Sequence, residues 1–133
     1  MNVKICKGSH HTANVIYNWN GRKLIIGSAP YGDVAYNFDG QYLRKGNSSY
    51  DKVLYNWDGA NLRAGNHKEG NIIYNYKEGN LMKGSHHSAD VICNIHDGKV
   101  RQGNHKEGNI TYNWIGDIPI PIVMIVLIDE GVL

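Results

Sequence analysis

The chain has 133 residues and a formal net charge of +2, with acids and bases interspersed. That length fits one domain able to bury about two-thirds of its unfolded surface. The balanced charge, with no basic block, excludes a nucleic-acid-binding footprint.

Sixteen glycines fit a chain that turns often, and nine tyrosines and three tryptophans against one phenylalanine suggest strands carrying amphipathic aromatics. Cys6 and Cys93 occupy different places in the repeat described below, so they read as two free thiols, not a disulfide framework. The first eight residues contain no apolar stretch of the kind a secretory signal needs, and the expected location is the cytoplasm, with peripheral membrane contact as the alternative.

One unit fills almost everything from Val3 to Trp114: strand, tight turn, strand, glycine stop. An asparagine recurs at Asn18, Asn37, Asn56, Asn75, Asn94 and Asn113, a step of 19, and a glycine at Gly8, Gly27, Gly46, Gly65, Gly84 and Gly103 on the same step. Lys4-Ile5-Cys6-Lys7-Gly8 aligns with Lys23-Leu24-Ile25-Ile26-Gly27, so residues 1–8 are the second half of a unit. Five complete hairpins follow, with turns at Asn20-Gly21, Asp39-Gly40, Asp58-Gly59, Glu78-Gly79 and Asp97-Gly98. Asn-Gly and Asp-Gly are strong hairpin signals because both residues tolerate positive φ. In the last two hairpins the glycine moves one place along, which predicts a different turn type.

Residues 109–116 hold the first half of a sixth unit with no second half after it. The economical reading is circular closure. The strand near Ile5 pairs with the strand near Tyr112, which removes two exposed edges. An open hairpin solenoid is the alternative. Period-two alternation places the Val15, Tyr17 and Trp19 sites on one face and the Ile16 and Asn18 sites on the other. The face taken by Leu24 and its equivalents depends on the hairpin loop length and stays open.

Residues 117–133 break the pattern. Ile118-Pro119-Ile120-Pro121 cannot be a central strand, since each proline removes a donor. Ile118 to Ile128 is eleven residues, against about 20 for a membrane-spanning helix. The ring has a hollow axis, and Ile122, Val123, Ile125, Val126 and Ile128 are apolar enough to fill it. A helix satisfies its own backbone and is favoured there, entered through a rigid Ile-Pro-Ile-Pro arm; a further outer strand is the alternative. The expected fold is therefore all-β with one C-terminal helix: six hairpin repeats closed into a ring or barrel around an apolar plug, in a single domain 1–133. Within it, 1–116 are hairpin repeats, the sixth split between 1–8 and 109–116, and 117–133 are the plug.

This layout resembles the β-flower proteins, small and mostly bacterial. The features that carry the resemblance are the Tyr-Asn-Trp-Asp-Gly units, the split sixth unit and Ile118–Leu133, and together they cover essentially the whole chain. The overall plan is also similar to Tubby-like and scramblase-like domains, which implies lipid or phosphoinositide contact as one expectation. No motif licenses transfer of a site.

Three side-chain sets invite chemistry. His10, His67, His86 and His105 fall at one place in four inter-hairpin links, with His11 and His87 beside two of them, and converging imidazoles would bind a transition metal. Internal duplication alone would copy a histidine, so solvated loop residues and no metal or cofactor are expected. The six asparagines read as structural, bonding the backbone beside each turn. Tyr17 and its equivalents would lie across a hairpin from Arg44, Arg63 or Arg101 as cation–π pairs. No Ser-His-Asp or Cys-His set stands out and no phosphate loop is present. An active site needs unlike groups placed once, whereas here like groups recur six times. The expectation is a monomeric, non-enzymatic binding or scaffold module, its ligand unspecified, with a protein or a lipid surface as partner. The alternatives are a membrane-surface protein of the Tubby-like type and a metal-binding protein using the loop histidines.

Overall fold

The computed structural model describes residues 2–10, 14–85 and 90–133. Among the described residues the chain forms twelve strands and one helix. The strands are β1 (Val3–Lys7), β2 (Val15–Trp19), β3 (Lys23–Ile26), β4 (Val34–Phe38), β5 (Tyr42–Lys45) and β6 (Val53–Trp57). They continue with β7 (Asn61–Ala64), β8 (Ile72–Lys77), β9 (Asn80–Lys83), β10 (Val91–His96), β11 (Lys99–Gln102) and β12 (Ile110–Asn113), and the helix α1 spans Ile120–Asp129. All strand pairs are antiparallel between sequence neighbours, and β1 also pairs with β12, with Cys6 opposite Asn113 and Lys7 opposite Tyr112. The barrel is closed, so no strand edge is left open.

The hairpin turns are of two kinds. In the last two, Lys77 pairs with Asn80 and His96 with Lys99 around two-residue loops. Both loop residues have positive φ there: Glu78 and Gly79, Asp97 and Gly98. These are the I′-type turns that match strand twist. In the first three, only the glycine is at positive φ. Asn20, Asp39 and Asp58 act through their side chains instead. The Asn20 Oδ1 accepts from the N–H groups of Arg22 and Lys23, and the aspartates accept from the equivalent residues. The tolerance of Asn and Asp for positive φ therefore does not explain these three turns.

Simple alternation fails in one respect. Leu24 opposes Tyr36 while Ile25 opposes Val34, so Ala35 is an extra residue, a β-bulge. The same bulge recurs at the start of β2, β6, β8, β10 and β12. It carries Val34 to the outer face with Asn37, and puts Ala35, Ile16, Leu54, Ile73 and Ile92 against the core beside the tyrosines. The expected sharing of a face by the Val, Tyr and Trp sites is thus corrected for Val, and that of the Ile16 site with Asn for Ile16. One bulge per repeat also raises local twist, which helps a sheet to curve shut. The second-strand leucines join the inner face: Leu24 lies opposite both Trp19 and Tyr36.

The helix fills the axis. Seven successive residues, Pro121 to Leu127, are buried, among them Ile122, Val123, Ile125 and Val126, while Ile128 is half-buried at the end. Met124 and Leu127 are buried as completely as Ile122 and belong to the same plug. A helix with no polar stripe has to be surrounded on all sides, and twelve strands surround this one. Pro119 is its N-cap and Pro121 lies in its first turn, where a missing N–H costs nothing. Half of the anticipated proline arm is therefore helix. Its other end closes with Gly131 at φ 79°: the Gly131 N–H donates to Ile128 O and the Val132 N–H to Leu127 O, the pattern of a Schellman cap.

Deleting residues 1–8 removes β1 and exposes the edges of β2 and β12. We expect a lower melting temperature together with dimers or larger species in sedimentation velocity. A truncated chain that stays monomeric and melts like the intact one would show that closure is dispensable.

Candidate functional site: the two mouths of the barrel

Each asparagine of the repeat is at most 6% exposed, yet it sits on the outer face, roofed by a link loop. Asn18 Nδ2 donates to Gly27 O at 2.8 Å and Ala29 O at 3.1 Å, and Asn37, Asn56 and Asn94 repeat both bonds nine and eleven residues on. Asn75 Nδ2 donates to Gly84 O at 2.7 Å. The bonds tie down the inter-hairpin link, not the hairpin turn that the sequence suggested. Asn113 makes the same pair across the closure, to Gly8 O at 2.6 Å and His10 O at 3.2 Å.

This explains the histidine position. The residue eleven after Asn18, Asn37, Asn56 and Asn94 supplies a carbonyl, and Ala29 and Ser48 do so as well as His67 and His105. The imidazoles of His10, His67 and His105 point into solvent, and no group of three or more His, Cys, Asp or Glu converges among the described residues. His11, His86 and His87 lie outside the described residues.

The expected Tyr–Arg pairs are not formed. Tyr17 and its equivalents face inward, whereas Arg44, Arg63 and Arg101 lie outside, opposite Asn37, Asn56 and Asn94. Arg44 and Arg63 pair with Asp39 and Asp58 of their own turns, and Arg44 stacks over Tyr42 at 5.5 Å. Backbone N–H groups and the arginine hold Asp58 well below the usual carboxylate range against the opposing cost of burial.

The inward tyrosines meet the C-terminal end of the helix. Tyr36 Oη donates to Asp129 at 2.9 and 2.8 Å, Tyr17 Oη to Asp129 at 3.3 Å, and Tyr112 Oη to Glu130 at 3.2 Å. Lys7 Nζ adds an ion pair to Glu130 at 3.4 Å. Two acids at the negative end of a helix dipole are unfavourable by themselves, and these donors offset that. Asp129 and Glu130 escaped the sequence reading. The available signal was their place at the end of the apolar run, where a helix ordinarily prefers cations. Burial first, then the neighbouring carboxylate, pushes Tyr17 and Tyr112 up to about 12, and Tyr36 rises for the same reasons. Cys93, which stands at the tyrosine position of β10, is 1% exposed, and burial pushes its thiol up to about 12.

At the opposite mouth the turn that would join β12 to β1 is missing, and residues 115–119 cross into the axis there. Beside the crossing lies a cleft of about 620 Å³ lined by Tyr76, Ile95, Asp97, Lys99, Trp114 and the 115–118 segment.

A family model described as "6-fold beta flower protein" matches residues 2–66 and 43–120. The chain belongs to this family. No curated protein and no solved structure matches it. The β-flower plan accounts for the hairpins and the closure. The family match ends at residue 120, where the β-flower barrel receives its helix.

In this β-flower, Asn56→Ala leaves two link carbonyls without their donor and should cost about 1–3 kcal/mol in urea denaturation. Asn56→Asp should cost more, because a carboxylate facing two carbonyl oxygens repels them. Equal stability of the three proteins would remove the asparagine from its structural role.

The tyrosine shifts set the alkaline limit. The folded pKa values lie above the unfolded value of about 10, so the folded state holds these protons more tightly. Their contribution to stability is complete below pH ~10 and is lost as pH rises toward ~12. Stability should therefore fall steeply over that window, and less steeply in Tyr36→Phe; identical slopes would refute the assignment.

Proposed function

We propose that the protein is a non-enzymatic binding or scaffold module that meets its ligand or partner at the ends of the barrel. One observation carries this reading: the axis, where a barrel of this width would hold a ligand, is filled by the protein's own helix, with Ile122, Met124 and Leu127 at 0% exposure. What remains to the outside are the two mouths and the outer surface. The repeated polar groups nearest the link mouth are spent on holding links and helix in place. Both thiols are only 1% exposed, which supports a role without covalent chemistry.

A membrane-surface role is the second reading, and one feature favours it. Tyr31 and Tyr50 stand at the same place in consecutive links and are 89% and 97% exposed, and Ile26, the last residue of β3, is also exposed. Lys45 and Lys52 flank the second link and are exposed. Tyrosine and lysine together suit a headgroup layer. Release of the apolar tail is a costlier route, since each buried side chain exposed would forfeit about 1.5–3 kcal/mol.

Co-sedimentation with phosphatidylserine-containing and purely zwitterionic liposomes separates the two. The binding-module reading expects the protein to stay in the supernatant with both. Sedimentation with the anionic liposomes that is lost in the Tyr31→Ser/Tyr50→Ser double variant would establish the membrane role instead.

A further inference from the structure

The six inward positions that follow the asparagines form a ring of side chains near the turn mouth: Trp19, Phe38, Trp57, Tyr76, Ile95 and Trp114. Five are aromatic. Ile95 is the exception, and the same strand also replaces the inward tyrosine with Cys93. The small side chain stands between two aromatic neighbours, Tyr76 on β8 and Trp114 beyond β12. The cleft of about 620 Å³ lies beside Ile95, with Tyr76 and Trp114 among its lining residues; Tyr76 is half-buried, and Ile95 and Trp114 are 6% and 7% exposed. Its volume is that of a small-molecule site, within the usual range of about 300–1,000 Å³.

The lip of the cleft carries Asp97, Asp117 and Lys99. In the second and third hairpins the turn aspartate is neutralised by an arginine five residues on, Arg44 for Asp39 and Arg63 for Asp58. In the fifth hairpin the shifted turn breaks that arrangement. The corresponding Arg101 donates instead to Gly108 O at 3.1 Å. Among the described residues neither Asp97 nor Asp117 has an ion-pair partner. Two carboxylates and one ammonium leave the lip net negative, on a chain whose formal net charge is +2. Aromatic rings at a cleft attract cations through their quadrupole and apolar groups through contact.

The geometry points to a binding site for a small organic ammonium with an apolar body: the body between Tyr76 and Trp114 over Ile95, the ammonium between Asp97 and Asp117. This rests on the reading of the protein as a binding module and names the ligand class of one mouth. Lys99 opposes the cation, so the carboxylates have to outweigh it.

The test is titration of the full chain, followed by backbone amide NMR, with 2-phenylethylammonium and three relatives: neutral 2-phenylethanol, anionic phenylacetate, and glucose. The expected result is saturable shifts at residues 95–99 and 114–118 for the ammonium, with affinity for the alcohol lower by roughly tenfold or more. Asp97→Asn and Asp117→Asn should each weaken the ammonium, and Lys99→Gln should tighten it. Asparagine tolerates the positive φ of position 97, so that variant keeps its turn. Ile95→Trp restores the aromatic ring, fills the cleft and should abolish binding; where it fails to fold, the aspartate variants decide. Shifts of equal affinity for the alcohol, or a preference for phenylacetate or glucose at these residues, overturn the cation assignment but keep a binding mouth. No shift at these residues with any of the four probes overturns the site itself. The binding-module reading stands or falls separately, on the liposome measurement.

Discussion

Barrel and helix each make the other possible. Eight strands close around an interior that strand side chains alone can fill; twelve enclose a wider axis. A ten-residue helix with seven consecutive buried positions has no face that water would accept. The interior of the barrel is apolar because Tyr, Trp and Leu sites of every repeat point inward, and it would be a void without the helix. Removing either component leaves the other with an unburied surface large against the net stability of a small domain, about 5–15 kcal/mol.

Given that enclosure, the polar details divide by location. At the turn end of the axis the chain enters through the gap left by the unformed sixth turn. At the other end Tyr17, Tyr36 and Tyr112 hold Asp129 and Glu130, and the chain then folds back so that Leu133 packs against the cluster containing Cys93. The acids fix how deep the helix sits. An all-apolar cylinder inside an all-apolar tube has no preferred depth, and directional bonds at one end supply it. On the outside, the asparagine bonds brace the described parts of the links against their own hairpins.

Much of the plan could be read from residue spacing. The step of 19 and the two half-units specify six hairpins and where they close, because repetition is a signal independent of tertiary context. The tail could be identified as a plug from its length and uniform apolarity. The bulges could not, because an extra residue leaves the repeat length unchanged and shows only in the pairing of Tyr36 with Leu24 and Val34 with Ile25. The asparagine partners were misplaced for a related reason: a carbonyl acceptor has no residue type, so Ala29, Ser48 and His67 look unrelated in sequence while doing one job. The prominence of the histidines had the same origin. Asp129 and Glu130 were passed over because their partners lie on β2, β4 and β12, more than ninety residues away in two of the three cases. The cleft was legible in part, since Ile95 visibly departs from the aromatic ring, but its meaning required knowing that the ring exists.

The split sixth hairpin also dictates an order of events in time. Five hairpins are local and can form within about 1–10 μs of being available. The pairing of β1 with β12 joins Cys6 to Asn113, nearly the whole length of the repeat region apart. On a ribosome the first half-hairpin must therefore wait, with its edge unpaired, until the last strand has emerged. The helix follows the last strand, so the filling of the axis is also confined to the end of synthesis. Closing and filling are therefore both late, and an incomplete chain presents both a free edge and an apolar concave face. Unpaired edges and exposed apolar surface are prone to intermolecular association, so closure is the step at which folding of this chain competes with aggregation.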